Sequence, residues 1–133
     1  MAQLARVAAG DEAFGALARR LGSLPRIDAF VRSHYRYRDE AEEIVRTPQF
    51  MVHDLDRIGY MEGDCDDVAT LYAAFGRALG YPARLVAIRY NPQNPNFEHV
   101  FTEILDAGEW ITFDATVEPG TQIRSVEEMI EEV

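Results

Sequence analysis

The sequence predicts an α+β fold in which helices come first along the chain and an antiparallel sheet comes last. Apolar residues recur at helical spacing up to Leu79, and from Ala83 onward they recur about every second residue, as in strands. The 133 residues contain no internal repeat and no long linker. We therefore expect one domain with a helical part at 1–59, a core part at 60–117, and a tail with a short helix at 118–133.

Four helices are predicted before the sheet, and each ends at a glycine or near a proline, residues that stop helices. They span residues 11–21, 27–35 with a continuation that could reach Val45, 48–59, and 64–80. Pro48 favours a helix start, because its fixed φ suits the first helical position. Leu71, Tyr72 and Phe75 share one face of the last helix, so we expect that helix to be buried.

Three strands are predicted after the last helix, at residues 84–90, 99–105 and 110–113. Residues 91–96 are rich in asparagine and proline and form a loop, because proline does not join a central strand. Asp106-Ala107-Gly108-Glu109 indicates a tight hairpin turn between the second and third strands. Beyond Pro119-Gly120, the residues from Ser125 onward are predicted to form a short acidic helix.

The composition excludes several classes of function. A formal net charge of −10 argues against binding to nucleic acid or to anionic membrane surfaces, which are themselves negative. No segment approaches the roughly 18 apolar residues of a membrane span, and residues 1–22 lack the apolar core of a signal peptide. One cysteine allows no internal disulfide, so nothing indicates secretion and we expect a cytoplasmic protein.

The one cysteine, Cys65, lies at the predicted start of the buried helix. Asp64 is suited to cap that helix, and Asp67 three positions later completes a capping box. Unpaired N–H groups and the helix dipole in the first turn favour a thiolate, which is the nucleophilic form of cysteine. Two observations oppose this interpretation: a lone cysteine is most often a small buried apolar residue, and the neighbouring aspartates disfavour a thiolate.

A histidine and an aspartate on the predicted hairpin supply the other groups that a cysteine nucleophile needs, a base and a residue that orients it. In one register His99 lies directly opposite Asp114. In the other, set by pairing Asp106 with Glu109, Asp114 faces Phe101 and lies diagonally across from His99. Either register places the imidazole and the carboxylate on one face of the sheet.

Four motifs in this part of the chain resemble the core of the transglutaminase-like superfamily. They are Gly-Asp-Cys-Asp-Asp at 63–67, Ala-Leu-Gly-Tyr-Pro-Ala-Arg at 78–84, Glu-His-Val-Phe-Thr-Glu at 98–103, and Glu-Trp-Ile-Thr-Phe-Asp-Ala-Thr at 109–116. The resemblance covers residues 60–117 and implies a papain-like fold with Cys65 as nucleophile, His99 as general base and acid, and Asp114 orienting His99. Phe101 stands where the family commonly has tryptophan.

The resemblance also implies the chemistry. We expect acyl transfer from a peptide or protein amide through a thioester, with no cofactor. Hydrolysis is favoured over cross-linking, because the calcium-site spacing and accessory domains of the large cross-linking enzymes are not found in this sequence. The signature resembles compact bacterial or prophage members, so roles in peptide or peptidoglycan processing, or association with phage particles, follow by analogy.

Two other uses of the same residues stay open. The fold could be a non-catalytic binding or structural module in which the acidic cluster makes Cys65 unreactive. Alternatively, Asp64, Cys65, Asp67 and His99 could hold a metal ion, although no second cysteine and no paired-histidine spacing supports zinc.

The sequence also leaves open the remaining histidines and the groups that would stabilise an oxyanion. His34 is most simply a surface or helix-packing residue, whereas His53 lies on a short helix before the cysteine and could approach the site. The backbone N–H of Cys65 is one candidate oxyanion donor, and Tyr60 and Gln49 are two others.

Overall fold

The computed structural model describes residues 1–39 and 44–133, and within these ranges it contains five helices and six strands. In chain order the helices are α1 (Ala2–Ala9), α2 (Glu12–Leu21), α3 (Leu24–His34), α4 (Pro48–Ile58) and α5 (Cys65–Ala78), and the strands are β1 (Tyr35–Tyr37), β2 (Met61–Gly63), β3 (Ala83–Arg89), β4 (His99–Asp106), β5 (Glu109–Phe113) and β6 (Glu127–Glu132). No helix in these ranges is long and apolar enough to cross a membrane.

The four-stranded antiparallel sheet has the strand order β5-β4-β3-β6, and α5 packs against β4 and β3. This arrangement confirms the predicted α+β class. Leu71, Tyr72 and Phe75 are fully buried on α5, as their spacing predicted. The helix approaches the sheet closely at Gly76, where a Cβ would lie 2.8 Å from the Ile104 side chain.

The ends of the helices follow from local capping. Asp11 caps α2 by accepting a hydrogen bond from the Phe14 N–H at 2.9 Å. Thr47 caps α4 in the same way, and Pro48 occupies its first turn as predicted. Gly22 and Gly59 end these two helices with left-handed φ angles of 84° and 86°, which glycine adopts without steric cost.

The predicted second helix starts three residues too late, and it ends within one residue of Tyr35 without the continuation that was left open. The observed helix begins at Leu24, because the Ser23 side chain caps it by accepting from the Arg26 N–H, and it ends at His34. Residues 35–37 form β1, which pairs in parallel with β2. A three-residue strand shows no clear period in sequence, so neither strand was predicted. Part of the proposed continuation toward Val45, residues 40–43, lies outside the described residues.

The predicted C-terminal helix is also wrong, because residues 127–132 form β6 along the edge of β3. As a helix this segment would place Glu127 over Glu131 and Glu128 over Glu132, and like charges four residues apart destabilise a helix. As a strand it satisfies the β3 edge, and Arg89 forms an ion pair with Glu127 at 3.0 Å.

The hairpin of β4 and β5 adopts the second of the two predicted registers, with Asp106 opposite Glu109 and Thr102 opposite Phe113. The turn residues Ala107 and Gly108 have φ angles of 51° and 81°, as in a type I′ turn. Because Asp114 directly follows Phe113, it lies near the start of β4, where His99 is found.

Candidate active site

Cys65 is the first residue of α5, and a complete capping box fixes this helix start. The Asp64 carboxylate accepts from the N–H groups of Asp66 and Asp67 at 3.1 and 3.3 Å, and Asp67 Oδ2 accepts from the Asp64 N–H at 3.0 Å. The Cys65 side chain is partly exposed. The sulfur therefore lies at the positive end of the helix dipole, within reach of solvent.

The glycine of the Gly-Asp-Cys-Asp-Asp motif is required by steric fit, in addition to the capping role of the aspartates. A Cβ on Gly63 would lie 2.5 Å from Asp67 Oδ2, so only glycine fits against this side chain. Asp67 is fully buried, and its other oxygen accepts from the Arg46 N–H at 2.6 Å. Burial raises the pKa of Asp67 to about 6, although the hydrogen bonds from Arg46 and Asp64 lower it.

The strand before the cysteine is held by Tyr35, a residue to which the sequence analysis gave no role. Its hydroxyl donates to the Gly63 carbonyl at 2.8 Å, and the Arg38 N–H donates to the same oxygen at 2.9 Å. Burial raises the pKa of the Tyr35 hydroxyl. The contact joins residues 28 positions apart and follows from the pairing of β1 with β2, two short strands that have no clear signal in the sequence.

Asp114 is buried and is held by three hydrogen bonds. His99 Nε2 donates to Oδ2 at 2.5 Å, while the Thr116 N–H and hydroxyl donate to Oδ1 at 3.0 and 2.6 Å. Burial alone would raise the pKa of Asp114, but the hydrogen bonds from His99 and Thr116 outweigh it and lower the pKa. The carboxylate is therefore charged at neutral pH and fixed in orientation.

The His99 ring is hydrogen-bonded to Asp114, as the expected triad requires. Burial disfavours the charged form of the ring, but its interactions with Asp114 and with Cys65 outweigh burial and raise the pKa of His99 to about 9. The structure thus brings His99 and Asp114 together from a strand and the residue after a strand, and Cys65 opens the helix that packs on the strand of His99.

Arg32 fixes Asp114 from the helical side and was not singled out by the sequence analysis. Its guanidinium donates to the backbone carbonyls of Asp114 and Val117 at 2.8 and 2.7 Å. Asp28, one turn earlier on α3, pairs with Arg32 at 3.1 Å and accepts from the Tyr72 hydroxyl at 2.6 Å. A chain of hydrogen bonds therefore runs from α5 through α3 to the residue that orients His99.

Comparison with known proteins identifies the family. A model of the transglutaminase-like superfamily matches residues 12–115, more than half of the chain. The chain belongs to this superfamily. The match starts well before the four motifs, so the relationship includes the helices from α2 onward, where the sequence analysis found no resemblance. No curated protein matches the chain.

A solved structure supports the superfamily fold. The chain is similar to a provisionally assigned cysteine protease from Cytophaga hutchinsonii, with 25% sequence identity and a TM-score of 0.62. The similarity covers 79% of this chain and 37% of that one. The chain therefore spans little more than a third of the length of this solved relative.

The remaining candidates from the sequence make their contacts with other residues of the described chain. His34 donates from Nδ1 to the Phe30 carbonyl at 2.8 Å and packs on the Phe30 ring. His53 and Gln49 line a cavity between α2 and α4 that does not include Cys65. Tyr60 packs against the Arg36 guanidinium at 4.1 Å. The third proposed oxyanion donor, the Cys65 backbone N–H, lies at the first residue of α5.

The alternative metal site gains no support from the geometry. Among residues 1–39 and 44–133, no group of three or more His, Cys, Asp or Glu side chains is arranged to hold a metal ion. Asp64 and Asp67, two of the four proposed ligands, instead accept hydrogen bonds from backbone N–H groups at the start of α5. Their oxygens serve the helix cap.

Proposed function

We propose that the protein is a cysteine-dependent amide hydrolase or acyl transferase in which Cys65 is the nucleophile, His99 the general base and acid, and Asp114 the residue that orients His99. The observation that carries the proposal is the His99 ring, which hydrogen-bonds to a buried carboxylate at 2.5 Å and lies on the strand against which the Cys65 helix packs. A nucleophile, a base and a group that orients the base are what covalent acyl transfer needs.

The proposed reaction proceeds in two steps. The Cys65 sulfur attacks the amide carbonyl carbon, and the carbonyl oxygen becomes an oxyanion beside the backbone N–H of Cys65. Collapse of this intermediate breaks the C–N bond as His99 donates its proton to the leaving nitrogen, which leaves a thioester on Cys65. His99 then takes a proton from water, the hydroxide adds to the thioester, and the carboxylic acid leaves as the sulfur recovers its electron pair.

Hydrolysis is the preferred version of this reaction. The solved relative is provisionally assigned as a cysteine protease, which supports water rather than an amine as the acceptor. A peptide-like amide is accordingly the proposed substrate class.

A non-catalytic module is the second candidate, and one contact favours it. The Cys65 thiol lies 4.0 Å from Asp66 Oδ1 in a geometry in which it donates to the carboxylate, and only a protonated thiol can donate. If this contact dominated, the sulfur would be a weak nucleophile. The two candidates therefore differ in the reactivity of Cys65.

Alkylation by iodoacetamide near neutral pH tests the proposal, because the chain has one cysteine and labelling can be read by mass. We expect the folded protein to be alkylated at Cys65 at least tenfold faster than the urea-denatured chain, and His99→Ala to remove most of this advantage. His53→Ala is the matched control and should react like the wild type. Folded protein that reacts no faster than the denatured chain would support the binding module instead.

Loss of turnover is the second part of the test. Cys65→Ala should abolish hydrolysis of any peptide amide that the wild type cleaves, while its circular dichroism and melting temperature stay close to those of the wild type. Wild-type turnover in this variant would contradict the mechanism.

A further inference from the structure

A cavity of about 330 Å³ opens beside His99 and Thr116. Its apolar wall is formed by Ile88, Val117 and Ile123, and Tyr90 stands at its edge with a largely exposed ring. This volume is at the lower end of small-molecule sites, which span about 300–1,000 Å³. The cavity therefore suits one side chain of a substrate rather than a large ligand.

His99 joins this cavity to the proposed triad, because its ring is part of the cavity lining and its Nε2 is hydrogen-bonded to Asp114. In the proposed mechanism His99 serves the Cys65 sulfur, so a group seated in the cavity lies beside the carbonyl that the sulfur attacks.

Arg124 adds a positive charge that does not depend on pH to the cavity, which His99 also lines. It is the one residue with a permanent positive charge in the lining, and its side chain is exposed. Within the described part of the chain, no hydrogen bond or ion pair engages its guanidinium. Six other arginines form ion pairs with carboxylates, namely Arg32, Arg38, Arg46, Arg57, Arg84 and Arg89.

We propose that this cavity binds a substrate residue that combines an apolar side chain with a free carboxylate, and that Arg124 selects the carboxylate. The inference rests on the proposed function, since it assigns the substrate class of the same site. A guanidinium binds a carboxylate with two parallel hydrogen bonds, so it recognises this group specifically. In a chain with a net charge of −10, such selection needs a local cation, because the overall field repels anions.

Two probes that differ only in their terminal group test the preference for a carboxylate. Chloroacetyl-leucine carries a free carboxylate, and chloroacetyl-leucinamide carries a neutral amide in the same position. In both, the Cys65 sulfur displaces chloride and forms a thioether, so the second-order labelling rates can be followed by mass. We expect the wild type to react faster with the acid, and Arg124→Gln to lower the acid-to-amide rate ratio about fivefold, the effect of a partly exposed ion pair.

Arg26→Gln is the matched control, because Arg26 is exposed on α3, lies outside this cavity, and gives the same change in net charge. Its rate ratio should equal that of the wild type. Chloroacetyl-glycine tests the apolar wall, and the wild type should react with it more slowly than with chloroacetyl-leucine. An unchanged ratio in Arg124→Gln, or an equal fall in Arg26→Gln, would overturn the inference.

The outcome is separable from that of the proposed function. The ratio of two labelling rates reports recognition even if Cys65 is no more reactive than a denatured thiol. The absolute rate relative to the denatured chain reports activation. A reactive Cys65 with an unchanged ratio therefore rejects the carboxylate subsite alone.

Discussion

Asp114 is the hydrogen-bond acceptor of the His99 ring, and its negative charge favours the protonated ring. Its carboxylate lies 2.5 Å from Nε2 and is itself fixed by Thr116. With a pKa of about 9, His99 stays protonated through neutral pH and can donate a proton to a leaving group. Activity that depends on this proton should fall as the pH rises through about 9.

Asp114→Asn should lower the pKa of His99, because it replaces the charged acceptor by a neutral amide while the ring stays buried. The change in pKa is measured by NMR from the pH dependence of the His99 ring resonances. The alkaline limb of kcat/KM should move to lower pH by the same amount. Thr116→Ala keeps the carboxylate and should leave most of the raised pKa in place; an unaltered His99 titration in Asp114→Asn contradicts the assignment.

The same pKa affects stability, and the sign follows from its direction. A histidine whose pKa is raised on folding stabilises the native state fully below its unfolded value of 6.5, and this contribution disappears as the pH rises through about 9. We therefore expect the free energy of unfolding of the wild type to decline between these pH values. In Asp114→Asn the decline should be smaller.

The residues of the expected triad could be selected from sequence because their local signals are strong. Cys65 follows a helix cap, and His99 and Asp114 are joined by one tight hairpin. Arg32 and Tyr35 could not be selected, since each acts on a partner far along the chain, 82 and 28 residues away respectively. No periodicity or capping pattern reports such a contact.

At the scale of the elements, the start of α5 depends on the space that Gly63 leaves for Asp67. Gly63→Ala should destabilise the protein by roughly 1–3 kcal/mol, because its Cβ would displace a buried carboxylate from the helix cap. Urea unfolding measures the change. Gly10→Ala is the control, since the nearest atoms there are 3.7 Å from the added Cβ. Equal stability of the two variants would show that the contact has no role.

Hydrogen exchange along β6 distinguishes the observed strand from the helix that the sequence predicts. Because the Val133 N–H donates to the Ala83 carbonyl, the N–H groups of Met129 and Glu131 face β3, whereas those of Ile130 and Glu132 face outward. Hydrogen exchange should therefore be slow at 129 and 131 and fast at 130 and 132. Uniform protection along the segment would indicate a helix. The sequence misled here because acidic residues suit a helix start, while pairing with β3 is a long-range contact.

At the scale of the whole molecule, the helices and the sheet are joined at the site by hydrogen bonds. Tyr72, Asp28 and Arg32 form the connection, which ends on the backbone of Asp114 and Val117. The α+β class and the helices from α2 to α5 could be predicted from the apolar period, whereas α1 (Ala2–Ala9) was missed. How the layers meet could not, because it depends on pairs of polar groups from different layers.

Arg32→Gln should lower the free energy of unfolding by roughly 1–3 kcal/mol, because two carbonyls lose a charged donor. It should also reduce kcat more than it changes KM, and lower the pKa of His99 as Asp114 loses its fixed position. Arg26→Gln, on the same helix, is the control for the loss of a positive charge. A stability loss with an unchanged His99 titration would limit Arg32 to a purely structural role.

Close packing at Gly76 bears on the chemistry at the opposite end of α5. Thr102 donates to the Ala69 carbonyl at 2.5 Å, and Gly76 admits the Ile104 side chain, so the helix is seated firmly on β4. The Cys65 sulfur belongs to α5 and the His99 imidazole to β4. The distance between them therefore depends on how closely the helix packs on the sheet. We expect a methyl group added at position 76, about 16 Å along the helix from Cys65, to shift the helix on the sheet and so to change the reaction rate at Cys65 from a distance.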